Sequence, residues 1–422
     1  MQRPDIPTSE ANVEGPPQGI LGRFKTFESL GYRDFRYFLT GAFLSNVGTW
    51  MQNVALGWLV YQLTRSSLTL GVVNFLSGAP IFVFILFAGA VADRVDRRRL
   101  IIWLQVVMMA QAALFGVLTQ TSGITMAWVY GLTLVGGAAS AFTFPAWQAT
   151  VPDLVPRKSL LNAIALNAAQ FNGARLVGPM IGALIFARFG VTEVFYANAV
   201  SFLAVIAALA VIHPRQTRPE KTGESGWRNI AAGLRYVRHE RDAAVLLSTQ
   251  AMVTIFGMPF TTLMPVVAVE TLHVKSSGYA MLMAANGLGA LVGALVIASL
   301  PATVRRDRIV RAAVLVMSLG LIGIALSRSF VLTAGLLVVI GGAFLASTSG
   351  INTSLQAKVP PELRGRVMAL FVLAFMGVMP FGALAFGALG RAVGAATAIG
   401  AGAAVLLVYA IWIGARGIEA GR

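Results

Sequence analysis

The sequence predicts an all-α membrane protein: twelve transmembrane helices in two pseudo-symmetric six-helix bundles. Three observations carry this. Of 422 residues, 57% are hydrophobic and only 12% charged, against about 25% charged in a soluble chain. The apolar residues gather into twelve runs near the roughly 20 residues that a spanning helix needs. The longest polar interruption, residues 213–242, divides those runs six and six.

Residues 1–36 are polar and lack the apolar core of a signal peptide, so the first span is expected to act as its own insertion signal. The first six spans are 38–63, 68–92, 100–119, 125–147, 160–187 and 191–212. The interruption opens on a loop-like His213-Pro214 stretch. It continues as a segment in which Trp227, Ile230, Leu234 and Val237 recur at helical spacing among arginines. That pattern predicts an amphipathic helix on the inner surface. The second six spans are 243–269, 279–300, 309–326, 330–351, 367–389 and 392–415, followed by a short tail at 416–422. Domain boundaries follow: an N-terminal segment 1–36, a bundle 37–212, a linker 213–242, a bundle 243–415 and the tail.

Charge fixes the expected orientation. With a cytoplasmic N-terminus, 27 of the 33 Lys and Arg fall in cytoplasmic segments and five in outer loops. Arg175 alone remains inside a span. This split places both termini in the cytoplasm. The net charge of +16 is spread over short loops rather than gathered in a basic domain, which argues against nucleic acid and for contact with anionic lipid headgroups.

The halves also resemble each other. Gln148-Ala149-Thr150-Val151-Pro152 follows the fourth span, and Gln356-Ala357-Lys358-Val359-Pro360 follows the tenth. A duplicated unit places a binding site between its two copies near the bilayer midplane.

Enzyme chemistry is not expected. There is no cysteine, so there are no disulfides and no thiol nucleophile. His213, His239 and His273 are far apart and lack metal-ligand spacing. No G-x-x-x-x-G-K-[ST] loop is present to drive transport with ATP. Neither metal nor cofactor is anticipated.

The hairpin between the second and third spans is Gly89-Ala90-Val91-Ala92-Asp93-Arg94-Val95-Asp96-Arg97-Arg98-Arg99. Positive-inside topology alone accounts for its arginines. The run also resembles the G-x-x-x-D-R-x-G-R-R-x signature of the major facilitator superfamily. That resemblance implies the major facilitator fold and a cytoplasmic gate. In it, Gly89 allows close helix approach, Asp93 faces an opposing helix N-terminus, and Arg94, Arg97 and Arg98 make further polar contacts. Asp96 stands where the signature has glycine.

Arg175 is the sharpest single residue, midway through the fifth span. A guanidinium there costs about 2.5–3.5 kcal/mol on insertion scales, so such a side chain faces a cavity or a partner. A purely structural bond to helix carbonyls is the alternative. Gly178, Pro179 and Gly182 follow it, a pattern of close packing or a bend. In the first span, Asn46, Trp50 and Asn53 share one helical face. That face lines either a substrate cavity or a helix–helix contact. Further candidates for the cavity are Gln148, Asn167, Gln170, Gln250 and Asn352, with Asn74 and Asn286 behind them. No acidic residue lies mid-span. Glu193 and Glu270, at outer helix ends, are the remaining candidates for ion coupling, with facilitated diffusion left open.

Tyr32-Arg33-Asp34-Phe35-Arg36, Ser45 to Gln52, Ala174 to Pro179 and Gly233 to Val237 are similar to the enterobactin-exporter-like branch of bacterial efflux proteins. This similarity implies a multi-pass inner-membrane exporter of siderophores, macrolides or other amphipathic molecules. A proton or other ion is the candidate coupling partner and a monomer the expected working unit, neither of them fixed by the sequence. Import of a metabolite or lipid-like solute, or a non-transporting scaffold or sensor, are the alternatives. Fold-level analogy does not select the substrate.

Overall fold

The computed structural model describes residues 25–212, 226–299 and 304–416. The expected N-terminal segment up to residue 24, the loop at 213–225 and the tail beyond 416 lie outside the described residues. So do the side chains of Asp93, Trp227 and Ile230 and the surroundings of Gly89.

Six long helices come first: α1 (Arg33–Thr64), α2 (Ser67–Arg94), α3 (Arg97–Gln120), α4 (Met126–Thr150), α5 (Leu160–Phe189) and α6 (Val191–Val211). The amphipathic segment is a helix, α7 (Gly226–His239). The seventh expected span is built of α8 (Arg241–Met252), a π turn Val253–Gly257, α9 (Phe260–Val266) and a second π turn Val267–Thr271. There follow α10 (Ser276–Ser299), α11 (Arg306–Leu326) and α12 (Phe330–Lys358). The eleventh span is likewise interrupted: α13 (Pro361–Val372), a π turn Leu373–Gly377 and α14 (Met379–Val393). The last helix is α15 (Ala395–Arg416).

Ten of the helical segments among the described residues are long and apolar enough to cross a membrane. The other two expected spans, α1 with 32 residues and α5 with 30, have the length but are diluted by polar side chains. They are the two that carry Asn46, Trp50, Asn53 and Arg175. In a bundle surrounded by lipid, the polar helices are the ones turned toward water or toward each other.

The chain sorts into two sets by packing. In the first, α1 lies on α5 and α6, α2 on α4, and α3 on α4 and α6. In the second, α12 lies between α10 and α11, and α11 packs on α15. The sets meet chiefly where α2 packs on α14 and α5 on α10. Small residues make the first of these contacts possible. A Cβ on Gly71 would lie 2.7 Å from the Ala383 carbonyl oxygen, so only glycine allows this approach.

The two ends of the bundle differ. At the end away from the α2–α3 hairpin, cross-set contacts are dense. The Ser67 hydroxyl donates to the Gly387 carbonyl (3.0 Å), the Tyr61 hydroxyl donates to Glu270 Oε1 (2.6 Å), and Trp58 stacks on Tyr279 with centroids 5.7 Å apart. Toward the hairpin end, α2 follows its partner only as far as the π turn, where Phe82 approaches Gly377. Beyond it α13 packs on α7, α8 and α12 instead. Along α2 and its partner helix, the sets are joined at the far end and separate past the π turn, toward the hairpin end.

Candidate functional site

Three helix midpoints meet between the sets. Arg175 is midway along α5, Trp50 midway along α1 and Phe344 midway along α12. The guanidinium carbon of Arg175 lies 5.4 Å from the Trp50 ring centroid and 5.0 Å from that of Phe344. A cation held over ring faces gains about 2 kcal/mol or more when desolvated, which offsets much of the cost of placing it at this depth. The aromatic cluster extends on both sides: Phe171 meets Trp50 edge-on at 6.1 Å, and Phe344 neighbours Phe375 at 6.1 Å. Trp50 and Phe171 belong to one set, Phe344 and Phe375 to the other.

Local sequence explains how α5 brings Arg175 to Trp50. Gly178, one turn on, lies directly against α1: a Cβ there would come 2.6 Å from Trp50 Cβ and 2.8 Å from the Val47 carbonyl oxygen. Gly182 continues the contact along Met51. Pro179 is buried inside α5, which runs on through it.

The other polar candidates separate into groups. Asn46 Nδ2 donates to Gln170 Oε1 (3.2 Å), and Gln170 Nε2 donates to Asn167 Oδ1 (3.4 Å), which also accepts from the Trp147 indole. This chain ties α1, α4 and α5 together on the hairpin side of Trp50. Asn53 is exposed on the Trp50 face of α1. Gln148 is exposed near the hairpin end of α4. Asn352 accepts from Gln356 in the last turns of α12. Gln250 is fully buried within the second set, donating to Thr254, and does not join this group.

Around the hairpin, the arginines hold their own set. Arg97, whose side chain is 8% exposed, pairs with Asp153 at 3.1 Å and also donates to the Ala149 carbonyl. Arg98 donates to the Leu209 and Ala210 carbonyls at the C-terminus of α6, where a cation also meets the negative end of the helix dipole. Arg94 is exposed. Asp96, the departure from the family pattern, is the N-cap of α3: its carboxylate accepts from the Arg99 amide at 2.9 Å. Of the two outer acids, Glu270 accepts from Tyr61 across the sets, and Glu193 lies exposed in the first turn of α6.

Sequence reasoning missed Phe344, Phe375 and the Gln52 network. Gln52 accepts from Asn198 (2.7 Å) and donates to Gln111 (3.3 Å), cross-linking α1, α3 and α6. The signal for Gln52 was present, as one of several amides in the first span. A phenylalanine in an apolar helix carries no such signal.

The fold finds clear relatives. The structure resembles that of the nucleoside transporter NupG with a TM-score of 0.70 at 12% identity, covering 92% of this chain and all of that one. It also resembles a bacterial homologue of the human lysosomal transporter Spinster in an inward-facing, unoccupied conformation, with a TM-score of 0.63 at 15% identity and 91% and 95% coverage. In sequence, the chain is 23% identical to the Staphyloferrin A transporter of Staphylococcus aureus over 83% of its length and 87% of the relative's. It is 26% identical to the multidrug efflux pump Tap of Mycolicibacterium fortuitum, with 84% and 89% coverage. It is 25% identical to the enterobactin exporter EntS of Escherichia coli, with 84% and 85% coverage. The family model of the transmembrane secretion effectors matches residues 25–417. The chain is therefore a multi-pass transporter rather than an enzyme, and it belongs to the transmembrane secretion effector family of the major facilitator superfamily.

Proposed function

We propose that the protein exports small amphipathic molecules across the bacterial inner membrane by alternating access. The observation that carries this reading is the Trp50–Arg175–Phe344 group. It lies at the middle of three long helices and is shared between the two sets, which are joined by dense contacts at the end away from the hairpin. A site that both sets contribute to is remade whenever one set rocks against the other. Siderophore and drug exporters among the relatives favour export and an amphipathic cargo, as does an aromatic lining around a polar centre.

In this reading the bundles 37–212 and 243–415 move as units, the hairpin end is cytoplasmic, and the conformation described is open to the cytoplasm. The gate at Gly89, Asp93, Arg94, Arg97 and Arg98 closes across the sets in the opposite state. Asn46, Gln148, Asn167, Gln170 and Asn352 contribute to the path on the cytoplasmic side, and Asn53 lines the site one turn beyond Trp50 toward the end away from the hairpin. Glu270 and Glu193 are the acids through which a proton or other ion would act, and one monomer is the working unit.

The test is accumulation in cells stripped of their own efflux pumps, expressing the protein or its Arg175→Ala variant. Siderophores, macrolides and fluorescent dyes are followed with and without a protonophore. Lower accumulation that requires Arg175 and collapses with the protonophore supports gradient-driven export. Raised accumulation reverses the direction, and no effect on any compound counts against transport of this class.

A further inference from the structure

The geometry points to an anionic amphiphile, an aryl or acyl carboxylate in chemical class, as the ligand of the Trp50–Arg175–Phe344 site. Arg175 is the only charged side chain more than two turns from the end of a membrane helix among the described residues. Its contacts there are two ring faces. Rings attract a cation but do not accept the conventional hydrogen bonds that the five N–H donors of a guanidinium make. No hydrogen bond or ion pair to Arg175 is formed by any described residue, and its side chain is only half-buried.

Among the described residues no counter-charge lies nearby. Every Asp and Glu of the membrane helices lies in a terminal turn. Several are already engaged: Asp153 by Arg97, Asp307 by Arg305 and Arg311, Asp242 by Lys358, and Glu270 by Tyr61. A fixed positive charge at the midplane without a carboxylate repels cationic solutes and offers a neutral one only the weaker hydrogen bond to an uncharged acceptor besides apolar contact. A carboxylate gains a charge-assisted, two-pronged hydrogen bond. Its apolar body would lie along Trp50 and Phe171 on one side and Phe344 and Phe375 on the other. The exposed amide of Asn53, one turn farther along the same face of α1, is positioned for a second polar group of such a ligand.

This inference rests on the transport reading for the claim that the ligand is cargo, but its chemistry is read by binding alone. The experiment is equilibrium dialysis of three probes of one skeleton, 2-naphthoate, 2-naphthamide and 2-naphthylmethylammonium, against the purified protein in nanodiscs. Acetate serves as the competitor that has charge without a ring. Naphthoate is expected to bind at least about tenfold tighter than the amide, equivalent to about 1.4 kcal/mol, and the ammonium weakest. Acetate at equal concentration should not displace it. Arg175→Gln should abolish the preference and Arg175→Lys retain part of it, while Phe344→Leu should weaken naphthoate and amide alike. Equal binding of the three, no binding of naphthoate, or a preference that survives Arg175→Gln overturns the inference. The comparison of probes on the unaltered protein stands even if a variant does not fold. An anion preference in nanodiscs without efflux in cells would sink the export reading and leave the site; efflux without charge discrimination would do the reverse.

Discussion

Gly178 stands against Trp50 with no room for a methyl group between them: a Cβ on the glycine would lie 2.6 Å from Trp50 Cβ. The Arg175–Trp50 contact thus depends on a missing side chain one turn away. Gly178→Ala is expected to push α1 and α5 apart, destabilising the protein by about 1–3 kcal/mol as overpacking does. It should also lower efflux without touching any polar group. Melting of the purified protein and efflux of the same compounds check this; a variant as stable and active as the parent would show that the helices can shift freely.

Tyr61 and Glu270 join the sets at the sealed end. Tyr61→Phe keeps the ring and removes the donor. Losing this bond, about 1 kcal/mol at a partly exposed site, should raise the share of molecules open at that end about fivefold. Because the chain has no cysteine, the reactivity of a Ser67→Cys variant toward a maleimide reads this without background. Unchanged reactivity after adding Tyr61→Phe would mean that the Trp58–Tyr279 stack and the packing of α2 on α14 hold the seal alone.

The cap at Asp96 gives a graded expectation. Asp96→Ala should cost about 1 kcal/mol of stability, and Asp96→Gly only a few tenths, because glycine is itself tolerated at an N-cap. Chemical denaturation of the three proteins decides it. Equal losses for alanine and glycine would instead implicate the charge of Asp96.

The Arg97–Asp153 pair is buried on both sides, at 8% and 6% exposure. Breaking it from one side strands the other ion, so Arg97→Ala should cost about 3–5 kcal/mol and show as poor recovery of folded protein from the membrane. Arg97→Gln combined with Asp153→Asn should recover most of it, since the two amides can still bond. Full recovery of Arg97→Ala would place the pair's role outside stability.

The fold was legible because a bilayer leaves few ways to satisfy a backbone, and apolar runs of spanning length declare themselves. Arg175 was legible for the complementary reason, since a charge at mid-span is too costly to be incidental. Its partner Phe344 was not: one aromatic among many apolar residues gains meaning only from which helix faces it across the sets. Asp96 read as an intruder in the signature, whereas three-dimensionally it caps α3, a role that depends on where the helix starts. The π turns at Val253–Gly257, Val267–Thr271 and Leu373–Gly377 left no mark in the hydrophobic pattern, which an extra residue in one turn shifts by less than the pattern's own irregularity. Gln250 was selected for its polarity, yet it is fully buried within the second set, where its amide nitrogen donates to Thr254 and its oxygen finds no partner among the described residues.

The sandwich of Arg175 has a kinetic corollary. Its two rings belong to different sets, so under the proposed rocking an empty carrier would peel its cation from Phe344 while Trp50, in the same set as Arg175, stays. A bound anion travels with the guanidinium and compensates for the ring that is lost. On the proposed mechanism the loaded protein would face the lower barrier and the empty one would idle, with slippage restrained by the same arginine that is proposed to hold the cargo.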